Sequence, residues 1–173
     1  MPASAIVVKQ IKPARFKDEA FTEAMKEVAK DVGREMVLDF RETTRSWKHK
    51  PKFELITSVD PNVEVLVGTD DKIYGYVNDG TEPHIIKPKG RWPLRFKWGG
   101  KGSYKAKTKP RVIGSTPGGP SGPEVRLLVV HHPGQKEPRE FDEVIEKKWT
   151  PRFKRMCEAA MSKGADKSGH AIA

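Results

Sequence analysis

An α+β fold is predicted for this chain by three observations. Apolar residues recur at helical spacing near each end, runs of period two fill the middle, and the order is helix, strands, helix. Helices that bracket antiparallel strands in this way pack on one sheet. The expectation is a single domain over 1–173. It has a sheet of about five strands, a long N-terminal helix, a C-terminal helix and a long basic loop inserted between strands.

The elements follow in order. Residues 1–15 read as an N-terminal arm, an apolar lead that ends at Pro13. From Asp18 to Arg45, Phe21, Met25, Val28, Val32, Met36 and Phe40 recur at helical spacing. Asp18 and Glu19 suit the positive end of the helix dipole, and Arg45 suits the other end. Such a helix is about 40 Å long at ~1.5 Å per residue. Gly33 in its middle costs about 1 kcal/mol relative to Ala.

Phe53 to Asp60 and Asn62 to Thr69 alternate as half-buried strands do, with Asp60-Pro61-Asn62 as a hairpin turn. Residues 68–83 are rich in turn formers and read as a loop that holds Ile73, Tyr74, Tyr76 and Val77. HIIK (84–87) and PLRFKW (93–98) are strand candidates, as is EVRLLVV (124–130), and HHPGQKEP reads as a turn. From Arg139 to Ser162 a second amphipathic helix buries Phe141, Val144, Ile145, Trp149, Phe153, Met156 and Met161, with Pro151 interrupting or kinking it. The core is expected over 16–98 and 124–162, with 99–123 as a flexible basic insert and 163–173 as a frayed tail.

Composition bounds the class. The hydrophobic fraction is 36%, with 14 Pro and 15 Gly, which predicts a modest core and long irregular excursions. Cys157 is the one cysteine, so no intrachain disulfide can form. No apolar run approaches the ~20 residues that span a bilayer, and the start lacks the basic region of a signal peptide. No membrane partner is expected, and a cytosolic origin is.

Charge is concentrated in one place. Between Pro83 and Pro123 there is no acidic residue and there are ten basic ones. The chain has 33 basic and 23 acidic residues, so this segment carries the whole net +10. Trp92, Phe96, Trp98 and Tyr104 are interleaved with the cations, as in surfaces that hold nucleic acid. In 93–98 the alternation equally fits a strand with Leu94, Phe96 and Trp98 inward and Arg95 and Lys97 in solvent. The stretch 99–112 lacks that pattern. Lys101, Lys105, Lys107, Lys109 and Arg111 are therefore the candidate basic loop that faces DNA or a partner.

Other chemistry is sparse. His131 and His132 adjoin in sequence, but neighbours on a strand point to opposite faces and rarely reach one metal. Asp70, Asp71, Asp79 and Glu82 stand among turn residues, where such side chains bond their own backbone. Cys157 sits among helical core positions with no base beside it. No phosphate loop, dinucleotide fingerprint or nucleophile elbow occurs. No catalytic residue, cofactor or metal is assigned, and a non-enzymatic protein is expected. A metal-dependent hydrolase that uses His84, His131 and the loop carboxylates is a weaker reading.

One ordered set of motifs carries a resemblance. It comprises Val67-Gly68-Thr69, Tyr74 with Tyr76-Val77, Gly80-Thr81, Pro83-His84, then His132-Pro133-Gly134 and Pro138 before Phe141. Over residues 16–162 this order resembles the minor tail-component family of lambdoid phages, the neck or tail-completion proteins of the head–tail junction. The resemblance implies a structural virion protein that assembles from the host cytoplasm into a hexameric ring. Its implied neighbours are connector or head-completion proteins and tail-terminator or tail-tube proteins, with non-specific contact to packaged DNA. Tyr74, Tyr76, Gly80, Thr81, His84, His132, Pro133 and Gly134 are then the implied subunit contacts. The alternative is a free nucleic-acid-binding module that uses the basic segment 87–111.

Overall fold

In the computed structural model, which describes residues 17–60 and 62–170, the chain is α+β. The expected N-terminal arm and Pro61 of the hairpin turn lie outside the described residues. Helix α1 spans Asp18–Thr43 and buries Ala24, Ala29, Val32, Val37 and Phe40 along one stripe. Strands β1 (Glu54–Ser58) and β2 (Glu64–Gly68) pair antiparallel, with Ile56 opposite Leu66. Their period-two pattern turns Leu55, Thr57, Val65 and Val67 away from solvent and leaves Glu54, Ile56, Glu64 and Leu66 exposed. Gly33 is where α1 meets this hairpin. A Cβ there would overlap the side chain of Leu55, so close packing offsets the glycine's helix cost.

The loop expected over 68–83 contains a helix, α2 (Lys72–Asp79). Asp71 caps it by accepting the Tyr74 N–H at 2.9 Å. Tyr74 and Asn78, one turn apart, are buried. Tyr76, two residues from Tyr74 and thus on the opposite face, is exposed. Gly80 ends the helix with φ 85°, a backbone region that disfavours side chains.

The expected five-stranded sheet is replaced by two-stranded ladders. Beyond β1–β2, six short strands pair as a nested series. They are β3 (His84–Ile86), β4 (Leu94–Lys97), β5 (Tyr104–Lys105), β6 (Gly119–Pro120), β7 (Glu124–Leu127) and β8 (Val130–His132). The pairings are β3 with β8, β4 with β7 and β5 with β6. Trp98 N–H donates to the Pro123 carbonyl at 2.9 Å and Ser121 N–H to the Ser103 carbonyl at 2.7 Å, which link β4–β7 to β5–β6. The three ladders together make an antiparallel ribbon that is interrupted between β3–β8 and β4–β7. EVRLLVV is therefore two strands with a break at Leu128-Val129, and His131 and His132 lie in β8 rather than in a turn.

Helix α3 (Phe141–Ser168) passes through Pro151 and buries Phe141, Ile145 and Trp149. It runs antiparallel to α1. Asp39 Oδ2 accepts from Trp149 Nε1 at 2.7 Å near one end. At the other end a Cβ on Gly164 would stand 2.9 Å from a ring carbon of Phe21. The expected frayed tail is thus helical to Ser168, with Gly164, Ala165 and Ser168 buried. Met161, expected inside, is largely exposed. The core sits where α1, α2, α3 and the hairpin meet. Val32, Phe40, Tyr74, Phe141, Ile145 and Trp149 form it, with Phe53, Val67 and Val77 against them.

Candidate functional site

The ribbon leaves the helical body at a junction where most of the singled-out motif residues gather, and the loop at its tip docks on the body again. Thr81 and Gln135 form a bridge, with Gln135 N–H donating to the Thr81 carbonyl at 2.8 Å. Gly134 has φ 77°, and its Cα lies where any Cβ would overlap the Thr81 carbonyl. His84 and His132 are direct partners across β3–β8, and their rings stack at 4.9 Å between centroids. His132 Nδ1 accepts the Gly134 N–H at 3.1 Å, which pins the ring over the reversal at Pro133. Gly80, Thr81, His84, His132, Pro133 and Gly134 are therefore neighbours in space, although two stretches of sequence supply them.

Tyr74 does not join this surface. It is enclosed by Phe40, Trp47, Phe53 and Phe141, with ring centroids 5.1 Å from Phe53 and 6.0 Å from Phe141. Burial pushes its phenol above the ordinary tyrosine value, so it stays neutral. As a subunit contact Tyr74 is thus corrected to a core residue of its own protomer. Tyr76 remains exposed on α2.

Asn78 is the organising residue that sequence reasoning missed. Its Oδ1 accepts the Phe141 N–H at 2.8 Å and caps the start of α3. Its Nδ2 donates to Asp142 Oδ1 at 2.9 Å and to Asp79 Oδ1 at 2.7 Å. Its carbonyl accepts the N–H groups of Arg139 and Glu140. Gln135 Nε2 donates to the Val77 carbonyl at 2.7 Å and ties the ribbon to the same turn. The available signal was a polar residue one helical turn after Tyr74 on the same face.

The expected flexible insert divides in two. Its far part returns to the body. Ser46 N–H donates to Ser115 Oγ at 2.9 Å, Ser115 Oγ donates to the Glu42 carbonyl at 3.2 Å, and Ile113 packs on the core. Arg139 Nε donates to Thr108 Oγ1 at 3.2 Å. Lys107 Nζ donates to the Ser46 carbonyl at 3.2 Å, and Arg111 pairs with Glu140, which raises the guanidinium pKa further. These two cations of the candidate basic loop are thus engaged within the protomer. Lys101 and Lys105 on the ribbon and Lys109 in the returning loop are exposed and make no ion pair among the described residues.

In 93–98, Leu94 and Phe96 are half-buried while Arg95 and Lys97 face solvent, as the alternation predicts. Trp98, expected inward on the same face, is half exposed. Trp92 is 72% exposed and Leu128 68%. The ribbon thus presents large apolar groups and cations together.

The remaining chemistry is dispersed. Asp71 caps α2 and also contacts His49, whose hydrogen bond holds its carboxyl below the usual value. Asp79 accepts from Asn78, and His84 Nδ1 lies 2.8 Å from the Glu82 carbonyl. His131 faces away from His84, opposite Ile85. Among the described residues no three His, Cys, Asp or Glu side chains are grouped to hold a metal ion. Cys157 is half-buried, and burial raises its thiol pKa. No helix among the described residues is long and apolar enough to cross a membrane. No family model matches the chain, and no curated protein or solved structure matches it.

Proposed function

We propose that this chain is a non-enzymatic structural protein of a tailed-phage virion. Copies close into a hexameric ring at the head–tail junction. The ring joins connector or head-completion proteins to the tail terminator or tail tube, and DNA passes through it. The protein reaches the virion from the host cytoplasm.

The observation that carries this reading is the ribbon. A protomer that leaves Trp92, Trp98, Leu128 and Val129 in solvent along one extension has apolar surface for another protein to cover. The gathering of Gly80-Thr81, His84 and His132-Pro133-Gly134 at the ribbon's root supports it further. These are the residues on which the resemblance to phage neck proteins rests. Head-to-tail contact between copies closes a ring when the rotation permits. Electron microscopy of the purified protein, with mass analysis of virions, tests the reading. Rings and a stoichiometric virion band are expected, and absence from virions overturns it.

A second reading is favoured by one observation, the exposure of Lys101, Tyr104 and Lys105 on the ribbon and of Lys109 in the loop at its tip. A free nucleic-acid-binding module would bind duplex or single-stranded DNA with a steep salt dependence. Replacing the three lysines by alanine would flatten that slope. A slope unchanged by the replacement counts against this reading.

A further inference from the structure

The ring reading leaves open what receives the ribbon, and the molecule carries one surface that complements it. Residues 53–82 hold seven acidic side chains and a single basic one, Lys72. They precede the acid-free ribbon segment directly, so the chain alternates a negative block with a positive one. Within the negative block, the β1–β2 hairpin turns one face onto α1 and the other to solvent. Ile56 and Leu66 face each other across the hairpin on that outer side, 63% and 60% exposed. Glu54 and Glu64 are exposed on the same face by strand alternation, and neither has an ion pair among the described residues.

We infer that the outer face of the β1–β2 hairpin is the seat for the basic ribbon of a second copy of this chain. The inference rests on the ring reading and supplies its contact. Ile56 and Leu66 form an apolar centre with carboxylates beside it. Trp92, Trp98 and Leu128 are exposed apolar groups on the ribbon, and Lys97, Lys101 and Lys105 of the same segment are exposed cations. Apolar groups meet at the centre and opposite charges fix the alignment around it. The two surfaces belong to different regions of one protomer. The contact is therefore heterologous, and a closed rotation makes it a ring.

Charge reversal with exchange is the test, read by native mass spectrometry and sedimentation on the full chain. E54K/E64K alone, and K97E/K101E/K105E alone, are each expected to weaken self-association about a hundred-fold through like-charge repulsion. All five positions are exposed, and because Lys97 faces Glu124 across β4–β7 the circular dichroism of each variant is compared with that of the parent before association is read. Mixing the two variants restores assembly, because each now meets an opposite charge.

If the parent assembles and every variant assembles equally well, the seat lies elsewhere. The inference then fails while the ring reading stands. A parent that is monomeric at its highest soluble concentration also overturns the inference, and the presence of the protein in virions decides the ring reading separately. A third outcome overturns it too. K97E/K101E/K105E would lose binding to a duplex DNA oligomer while E54K/E64K leaves self-association unchanged, and the ribbon's occupant would then be nucleic acid.

Discussion

In the helical body Phe141, Ile145 and Val32 are shut off from solvent, while in the ribbon Trp92, Trp98 and Leu128 stand in it. Both regions contain aromatic and branched residues, so composition does not separate them. Geometry does. The body stacks two long antiparallel helices, a short helix and a hairpin, and each element covers the apolar stripe of another. The ribbon is two strands wide, and a two-stranded ribbon has no third layer to bury either face. The body buries most of its apolar groups, with Ile56 and Leu66 on the outer hairpin face as exceptions, and the ribbon leaves Trp92, Trp98 and Leu128 in solvent.

The largest effect is expected in the body. Ile145→Ala removes a fully buried side chain from the contact of α1, α2 and α3. It is expected to cost about 2–5 kcal/mol in urea unfolding. Asn78→Ala comes next, because it orphans the Phe141 N–H and releases the ribbon's root. A loss of about 1–3 kcal/mol is expected, with faster amide exchange at Thr81 and Gln135. An unchanged exchange rate there would separate the root from α2.

A smaller effect concerns pH. The Asp71 carboxyl is held below its ordinary value, chiefly by the His49 hydrogen bond. A depressed folded-state value means that this contribution is fully present above the ordinary carboxylate pKa. It is lost as pH falls from there through the folded-state value. Asp71→Asn should therefore flatten the acid limb of the thermal stability profile below the ordinary aspartate range and leave that limb steeper in the parent. The smallest effect sharpens the contrast. Trp92→Ala should change protomer stability by no more than about 0.5 kcal/mol, despite the size of the side chain. A large loss would mean that Trp92 itself is supported from within the protomer.

Legibility in the sequence followed the range of the interactions. Helix α1 was readable from Phe21 to Phe40 because helical period is local, and β1–β2 was readable because its turn and both strands adjoin. Helix α2 was not, since Asp70, Asp71, Gly75 and Gly80 made its eight residues look like a loop. Asp71 three residues before Tyr74 was nevertheless a capping signal. The end of α3 was hidden because Gly164 reads as a terminator. Its role as a contact for Phe21 depends on a partner far away in sequence. The ribbon's strands were individually visible and their partners were not. His84 with His132 and Leu94 with Leu127 are long-range pairings that no local pattern encodes. Of the candidate site, the glycine, threonine and histidine motifs were visible in advance. Tyr74's burial and Asn78's network depended on α2.

The nesting of the ladders also bears on how the ribbon forms. Lys105 with Gly119 closes the shortest loop, Lys97 with Glu124 the next, and Ile86 with Val130 the longest. Each ladder, once made, shortens the unpaired chain that the next must close, so its entropic cost falls in step. The ladders can therefore zip outward from β5–β6, one at a time, while the loop between β5 and β6 docks only once the end of α1 and the start of α3 are in place. The ribbon's strands, with free backbone edges and exposed apolar groups, are then presented before the root is locked at Gly134 and Thr81.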